Sequence, residues 1–520
     1  MKKTTDIAIC FLRARHPRAI HSRMGRGNLR WRLVAALALT LAAALSLVVA
    51  CGSDESLGPE SCTGPACDGG VDSSTTDGAP GMDTGVTDGG GGADVVVADA
   101  SDGSSACPGP AGTLDSTFGD GGIVWLKYPS SGAYAVAAQP DGKIIVGGYT
   151  GGSGGSFAVV RLLASGVPDP AFGTTGLVET KVGDVNLEVH AVAVQPDGRI
   201  VAAGFSRPTA GSFQFVVLRY MSNGAPDTAF GTDGVVMTSY PGRQAYAQSL
   251  VLLPSGKIVV AGYSEDATAS GANFEMIRYA SDGSPDPTFG TAGRVTVDAR
   301  GTDDRVGALA LAPGGALVLA GSTKETPSLA GRYDMFATRV KDDGAIDPTF
   351  AVSGKFISAF GSGTQRASGV AVDGTGRVLL GGWFGGAAPD DFGVLRLTAA
   401  GALDPVFGEA GAAKTDFGGR GDRSVQLLLQ DDGRIVALGT SGVGAQSDTY
   451  GTSFARYLPS GVTDPTFGTG GTTFIPPASN AQAGASGGAL AGCSILAVGT
   501  WIYDLNAVSD TAIGVVRLRR

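Results

Sequence analysis

One short phrase recurs seven times along this sequence: an Asp, two variable residues and a Phe, usually followed by Gly. The seven Phe residues are Phe118, Phe172, Phe230, Phe289, Phe350, Phe407 and Phe467. Repeats of about 20–50 residues or a little more are typical of arrays, solenoids and propellers, in which one supersecondary unit recurs. We therefore expect one repetitive domain, although a length of 520 residues would otherwise suggest several ordinary domains.

Each repeat contains signals for short strands. A turn such as Pro140-Asp141-Gly142-Lys143 separates two apolar runs, and Asp-Gly in that setting predicts a hairpin with a type I′ turn, which needs φ > 0. The first repeat then divides into four strands, at 123–128, 134–139, 143–149 and 157–163.

Seven such repeats predict an all-β fold, a seven-bladed β-propeller of four-stranded antiparallel blades over residues 113–520. Gly is abundant, at 84 residues, as expected for many strands joined by tight turns. An open β-solenoid is the alternative. The closed ring is favoured because twisted four-stranded meanders stack radially and leave only short edges.

The repeated phrase, the Pro-Asp-Gly-Lys turn and an Arg late in each repeat resemble the bacterial delta-60 repeat over residues 113–520. The seventh repeat departs from this pattern, because Ala491-Gly492-Cys493 replaces the Pro-Asp-Gly turn. The resemblance implies a propeller-like fold and no known reaction.

The late Arg of each repeat stands eight residues before the Asp of the next, as Arg161 and Asp169 do. This constant separation across a connector between blades predicts a bidentate ion pair that holds the turn. Arg517 has no Asp after it and Asp115 has no Arg before it. We expect these two residues to pair and to close the ring between its ends.

The loop between the third and fourth strands absorbs most of the variation in repeat length. The third-strand Gly and the Arg are 13 residues apart in the first repeat (148 to 161) and 18 in the fourth (321 to 339). In an up-and-down blade this loop shares one face of the ring with the loop between strands one and two. Variable loops on a rigid scaffold commonly carry function, so this face is the candidate binding surface.

Five aromatic residues stand next to the third-strand Gly or within two residues of it. Exposed rings there would contact a glycan or protein ligand, and packing between neighbouring blades is the alternative. They are Tyr149, Phe205, Tyr263, Trp383 and Trp501.

Residues 1–50 have the parts of an export signal: a basic start, an apolar run at 33–49 and a small residue before a Cys. Val48-Val49-Ala50-Cys51 resembles the bacterial lipobox, which implies a lipidated Cys51 and a membrane anchor. A transmembrane helix is the alternative, but the apolar run is shorter than the usual span of about 20 residues. Both Met1 and Met24 are candidate starts, and Gly52 favours the outer membrane by resemblance to the enteric sorting rule.

Residues 51–112 form an acidic spacer rich in Gly, Ser and Asp. Without a regular apolar period the spacer cannot offset its ordering entropy, so we expect it to be disordered. Removal of residues 1–50 leaves a formal net charge of −18, of which residues 51–114 contribute −11. This charge argues against a nucleic-acid partner.

Cysteine usage fits an exported protein. Four Cys remain after Cys10 is removed and Cys51 is lipidated, and four allow three pairings. We favour Cys62–Cys67 together with Cys107–Cys493, while free thiols or pairing within the spacer stay open.

The sequence contains few candidates for catalysis. His190 is the single His after residue 50, which argues against a Ser/His/Asp triad and a multi-His metal site. No cofactor or resident metal is predicted. Asp303-Asp304 and Asp342-Asp343 are weak calcium candidates without EF-hand spacing.

Three functions follow from this sequence. The favoured one is a membrane-anchored, exported binding or scaffold module that uses the variable loops. The alternatives are a propeller enzyme acting on glycans or other extracellular polymers and a structural envelope protein. The enzyme would need clustered carboxylates with perturbed pKa values at the mouth of the ring.

Overall fold

The computed structural model describes residues 107–520 except 152–154, 183–184, 209–210, 267–270, 302, 327–330, 359–362, 386–389, 419–420, 443–449, 478–481 and 503–510. The predicted signal, the lipidated Cys51, the Cys62–Cys67 pair and most of the spacer lie outside the described residues. Within the described part every regular element is a strand, and no helix has the length and hydropathy of a membrane span.

The described residues form 29 strands. In chain order they are β1 (Ile123–Leu126), β2 (Gly132–Ala138), β3 (Ile144–Thr150), β4 (Ser156–Leu162), β5 (Leu177–Thr180), β6 (Val185–Val194), β7 (Ile200–Arg207), β8 (Gln214–Tyr220), β9 (Val235–Thr238), β10 (Arg243–Leu252), β11 (Ile258–Asp266), β12 (Ala272–Tyr279), β13 (Arg294–Val297), β14 (Asp304–Leu311), β15 (Leu317–Lys324), β16 (Tyr333–Val340), β17 (Lys355–Ile357), β18 (Gln365–Val372), β19 (Val378–Phe384), β20 (Asp391–Leu397), β21 (Ala412–Thr415), β22 (Arg423–Leu429), β23 (Ile435–Gly442), β24 (Tyr450–Tyr457), β25 (Thr472–Ile475), β26 (Gln482–Ala483), β27 (Gly487–Ala491), β28 (Ser494–Ile502) and β29 (Thr511–Arg519).

The strands form seven antiparallel sheets. Six of them contain four consecutive strands each: β2–β5, β6–β9, β10–β13, β14–β17, β18–β21 and β22–β25. The seventh joins both ends of the domain, because β1 pairs with β29, β29 with β28, and β28 with both β26 and β27. The structure therefore confirms a seven-bladed propeller of four-stranded antiparallel blades.

The boundaries of the blades differ from those of the sequence repeats. The strand that follows each Phe-Gly, such as β5, is the outermost strand of the preceding blade, since it pairs with β4. The sequence analysis placed the segment with Asp169 and Phe172 in a connector between two blades. The structure corrects this prediction, because the segment is a turn within one blade. A blade begins one strand later than its repeat, which lets β1 complete the last blade.

The hairpin turn also differs from the expected type I′. Gly142 alone among its residues has positive φ, at 82°, and its N–H donates to the Gln139 carbonyl at 2.9 Å. Pro140 explains this, because its ring fixes φ near −65° and so favours a type I turn followed by a left-handed Gly. In the seventh repeat the hairpin still forms, and Gly492-Cys493 links the paired Ala491 and Ser494.

The core lies between neighbouring blades. The second and third strands of each blade are buried on both faces, which is why their sequences are apolar at nearly every position. In one such layer, Val201 of β7 packs in the same cluster as Ile258 and Val260 of β11.

On one end of the ring, which we call the turn face, the repeated Arg, Asp and Phe form a unit that we call the clasp. Arg161 donates from Nε to Oδ2 of Asp169 at 2.9 Å, and its guanidinium lies 4.6 Å from the ring centre of Phe172. It also donates to the Ser222 carbonyl in the next blade. Six of the seven clasp arginines make such a contact, so these clasps fix a turn and also tie two blades together.

The ring closes through the same contacts. Nη2 of Arg517 lies 2.8 Å from Oδ2 of Asp115, Nη1 donates to the Ala164 carbonyl, and the guanidinium covers Phe118. A disulfide joins Cys107 and Cys493, with the Cα atoms 5.2 Å apart. The predicted closing pair and the favoured second disulfide are both present.

The opposite end, the loop face, carries the variable loops. There the β3–β4 loop meets the connector from β1 to β2, because Gly151 N–H donates to the Pro129 carbonyl at 2.8 Å. The two classes of loop share one face, as the sequence analysis expected.

Candidate functional site

The innermost strand of each blade bulges toward the ring axis. In the first six blades one extra residue interrupts the pairing of that strand, and in the seventh Ser486 lies in the gap between β26 and β27. We call these seven residues the inner ring: Tyr134, His190, Gln248, Gly307, Ser368, Val425 and Ser486.

The inner ring surrounds a central cavity of about 280 Å³. Arg305, Arg366 and Trp383 also line this cavity. Both arginines are the second residue of their strand, β14 and β18, and these strands start at the loop face. The cavity therefore extends toward the face with the variable loops.

Three arginines occupy equivalent places in consecutive blades. Arg305, Arg366 and Arg423 lie opposite Ser322, Trp383 and Thr440 in the strand pairing. In the first three blades the same place holds Gly132, Glu188 and Tyr246. The positive charge is thus confined to the fourth, fifth and sixth blades.

Two of these arginines have carboxylate partners. Arg305 bonds Glu265 at 2.9 Å and Asp303 at 3.0 Å, and Arg423 lies 3.2 Å from Asp390. Their charges are therefore balanced within the fold.

Arg366 differs from both neighbours. Within the described residues no carboxylate lies within ion-pair distance of its guanidinium, and its buried Nε makes no hydrogen bond. The guanidinium lies 3.8 Å from the ring centre of Tyr333 and 5.9 Å from that of Trp383. Because a guanidinium stays charged in proteins, Arg366 presents an unbalanced cation to the cavity.

The other side of the cavity is aromatic. Tyr134 and His190 stack at 4.4 Å, and His190 stacks on Phe205 at 5.1 Å. The chain of rings continues through Tyr246 to Tyr263. Burial, with a smaller effect from the Glu188 carboxylate, raises the pKa of Tyr134, which keeps its phenol neutral.

The predicted aromatic contacts separate into two groups. Tyr149, Phe205, Tyr263 and Trp383 occupy one equivalent position, where the second strand of the blade pairs with the innermost strand. Trp383 lines the cavity, whereas Phe205 is only 9% exposed within the aromatic stack. The other rings pack against aromatic neighbours: Tyr149 contacts Tyr134, and both Phe205 and Tyr263 contact Tyr246.

Trp501 does not belong to this series, which corrects the sequence interpretation. The equivalent residue of the seventh blade is Thr500, which follows Gly499, and Trp501 stands one residue later. Since successive side chains of a strand alternate between faces, Trp501 points away and packs against Trp125 with ring centres 4.7 Å apart. It is 2% exposed and cannot contact a ligand.

Carboxyl groups with raised pKa values lie outside the cavity lining. Burial raises the pKa of Asp304 to about 6, and burial likewise raises the pKa of Asp422. Each caps a turn, because Asp304 accepts the Ala299 N–H at 2.8 Å and Asp422 accepts the Phe417 N–H at 2.7 Å. Their environment therefore has a structural explanation.

The weak calcium candidates are held by arginines. Asp342 is bound by Arg278 at 2.6 Å, and Asp303 is bound by Arg305 and by the Tyr333 hydroxyl.

Sequence reasoning missed the three equivalent arginines, of which Arg305 and Arg366 line the cavity, although a signal was present. Each stands 16 residues after the Phe of its repeat, from 289 to 305, 350 to 366 and 407 to 423. The repeat is recognised from positions that keep one residue type. The position of these arginines holds other residue types in the first three blades, so it does not stand out.

Comparison with known proteins supports the repeat assignment. Five stretches match the family model of a domain of unknown function described as a beta-propeller (DUF5122): 139–172, 195–230, 253–289, 374–407 and 430–467. This family is the clade of the delta-60 repeat. Every matched stretch ends at a repeat Phe. No curated protein matches the chain.

The solved structures that match this chain are distant in sequence. The polysaccharide lyase Uly1 is 10% identical, with 80% of this chain and 94% of that chain covered and a TM-score of 0.43. A PL25 ulvan lyase is 12% identical, with 76% and 96% covered and a TM-score of 0.42. Sqt1 from Chaetomium thermophilum is 14% identical, with 76% and 98% covered and a TM-score of 0.35. At these values none of the three carries an argument about function.

Proposed function

We propose that this chain is an exported binding module whose central cavity takes an anionic group of an acidic saccharide from the loop face. The observation that carries the proposal is Arg366, a cavity-lining cation without a carboxylate partner among the described residues. A partly buried charge without a partner is destabilising. An anion that binds Arg366 would pair with this charge and complete its hydrogen bonds, which favours binding.

The geometry of Arg366 suits a carboxylate or sulfate. A guanidinium offers paired N–H groups that match two oxygens of one anionic group. The flanking Tyr333 and Trp383 rings restrict its rotamers.

The remaining lining favours a sugar as the carrier of that charge. Gln248 and Ser486 place an amide and a hydroxyl at the cavity, and these groups both donate and accept hydrogen bonds. The Ser368 hydroxyl donates to the Ser424 carbonyl and therefore offers the cavity an acceptor. Sugar hydroxyls need such partners, and a cavity of about 280 Å³ is near the lower end of ligand pockets, which suits one sugar residue.

Export and anchoring belong to the same proposal. The lipobox-like stretch before Cys51 supports a lipid anchor, and the acidic spacer at 52–112 would hold the ring away from the membrane. The Cys107–Cys493 disulfide supports an oxidising compartment, since disulfides persist outside the cytoplasm. Incorporation of a labelled fatty acid tests the anchor: we expect it in the wild type and not in Cys51→Ala. Equal labelling of both proteins would contradict it.

The binding proposal is tested by calorimetry on the mature chain. We expect uronic-acid or sulfated oligosaccharides to bind and neutral oligosaccharides of the same length not to bind. Arg366→Gln should weaken binding at least tenfold, because it removes the charge and keeps much of the side-chain volume.

Arg377→Gln is the matched control. Arg377 lies in the hairpin after β18, at the turn face, and pairs with Asp373 at 2.6 Å. It should leave the affinity unchanged. Equal binding of neutral saccharides, binding of acidic peptides alone, or full affinity in Arg366→Gln would each contradict the proposal.

A further inference from the structure

Three acidic side chains converge at the loop-face boundary between the fifth and sixth blades. One comes from the start of a strand and two from the connector between the blades. Asp391 begins β20, Asp416 directly follows β21, and Asp422 directly precedes β22. One carboxylate oxygen from each lies within 4.8 Å of the others. The fold, and not sequence proximity, brings Asp391 to the other two.

This spacing matches the ligands of one hard cation. Ca²⁺ binds oxygens at about 2.3–2.6 Å, so two ligand oxygens on opposite sides of the ion lie about 5 Å apart. Three carboxylates within that separation leave space for one ion and for waters in its remaining positions.

Asp422 provides an independent observation. Its side chain is 1% exposed, and Oδ2 accepts the Phe417 N–H at 2.7 Å. Oδ1 of Asp422 is buried and makes no hydrogen bond. A buried carboxylate oxygen without a partner is costly, and a bound cation would satisfy it.

The formal charge of the cluster is unbalanced among the described residues. Among the described residues, Lys414 is the single cation that pairs with this cluster, 2.8 Å from Asp391, and it is half-exposed. Three carboxylates and one ammonium leave two negative charges, which is the charge that a divalent cation neutralises.

The boundary between the third and fourth blades serves as an internal comparison. Asp298 and Asp304 stand there in the places of Asp416 and Asp422, and Asp304 caps the Ala299 N–H as Asp422 caps the Phe417 N–H. Oδ1 of Asp304 is unpartnered as well, so the third carboxylate is what distinguishes the two boundaries. Asn273, however, stands in the place of Asp391. Each directly precedes a Phe that pairs with the last residue of the outermost strand, which is β13 in one blade and β21 in the other. That boundary lacks the third carboxylate.

We propose that Asp391, Asp416 and Asp422 form a Ca²⁺ site that joins the fifth and sixth blades. An all-oxygen set without His or Cys disfavours Zn²⁺, and ligands from one strand end and one connector suit the flexible coordination of Ca²⁺ better than the strict octahedron of Mg²⁺. The site is separate from the saccharide proposal, because its ligands do not line the central cavity.

Calorimetric titration of the EDTA-treated mature chain with Ca²⁺ alone tests this site. We expect one Ca²⁺ per chain, and Mg²⁺ should bind at least tenfold more weakly. Asp416→Asn should weaken Ca²⁺ binding at least tenfold. Asp416 is exposed, so this variant is expected to fold, and circular dichroism checks that it does.

Asp298→Asn is the matched control and should bind Ca²⁺ as the wild type does. Asp422→Asn is a second variant, which should also lose binding while it keeps the cap on Phe417. Absence of Ca²⁺ binding at millimolar concentration, or equal affinity in the wild type and a folded Asp416→Asn, would overturn the proposal.

Discussion

The turn face and the inner ring of this propeller differ in how closely their seven units resemble one another. At the turn face the same Arg, Asp and Phe recur in every unit, and each guanidinium lies over its Phe at about the same distance, from 4.5 to 5.1 Å. In the inner ring the backbone bulge recurs, but the seven places hold six different residue types.

This difference shows which constraint acts on each region. A clasp is buried and must satisfy a charge, a turn and a neighbouring carbonyl, so few side chains fit. An inner-ring residue faces a cavity, and the backbone bulge is present with any of the residue types found at this position. The four predictions that follow test this contrast, from the largest expected effect to the smallest.

Removal of a clasp arginine should cost the most. Arg278 is 1% exposed and bonds Asp286 at 2.7 Å, and the loss of one partner of a buried ion pair typically costs about 3–5 kcal/mol. We expect Arg278→Ala to lower the free energy of unfolding by about that amount in urea. The exposed-hairpin variant Arg377→Ala should cost under about 1 kcal/mol, and equal effects would refute the assigned role of the clasp.

Removal of the closing disulfide should cost somewhat less. The Cys107–Cys493 link spans 386 residues, and loss of a native disulfide typically costs about 2–5 kcal/mol. Because β1 and the Arg517–Asp115 pair also close the ring, we expect about 3 kcal/mol for the double variant Cys107→Ala/Cys493→Ala. Reduction of the wild type should lower Tm to the value of this variant, and an unchanged Tm in both would contradict a contribution to closure.

Substitution of Asp304, in contrast, should increase the free energy of unfolding at neutral pH. Its folded pKa of about 6 exceeds the unfolded value near 3.8, so its contribution is fully present below pH 4 and is lost as the pH rises through 6. Asp304→Asn should therefore raise the free energy of unfolding at pH 7 by about 1–3 kcal/mol. Unfolding measured at pH 4 should show almost no difference between the two proteins, and a gain independent of pH would exclude this explanation.

Inner-ring substitutions should have the smallest effect on stability. Gln248→Ala and Ser486→Ala remove polar groups that face the cavity, and changes away from packed features typically stay within about 0.5 kcal/mol. Thermal unfolding measures this directly. A loss above about 2 kcal/mol in either variant would mean that the inner ring is part of the structural framework, as the clasp is.

The same contrast explains what the sequence could predict. Strand count, ring closure by Arg517 and Asp115, and the Cys107–Cys493 link were all predictable, because repetition exposes positions at which one residue type is required. The offset of one strand between repeat and blade was not, since repetition has no intrinsic starting point. Trp501 was misplaced because a one-residue shift in a strand reverses the face.

The candidate site was less predictable for a related reason. Arg366 is defined by the absence of a carboxylate partner, which depends on Asp303, Glu265 and Asp390 having paired with its neighbours instead. Pairing between blades is set by three-dimensional packing. A single sequence records the position of such a residue but not its partners.

The central claim is that Arg366 presents an unbalanced positive charge to the axial cavity. A crystal of the mature chain soaked in sodium bromide tests it directly, because anomalous scattering locates bound bromide without any assumption about the natural ligand. The account predicts a bromide within contact distance of the Arg366 guanidinium inside the cavity, and its loss in Arg366→Gln. A cavity free of bromide, with Arg366 paired to a carboxylate of the chain, would contradict it.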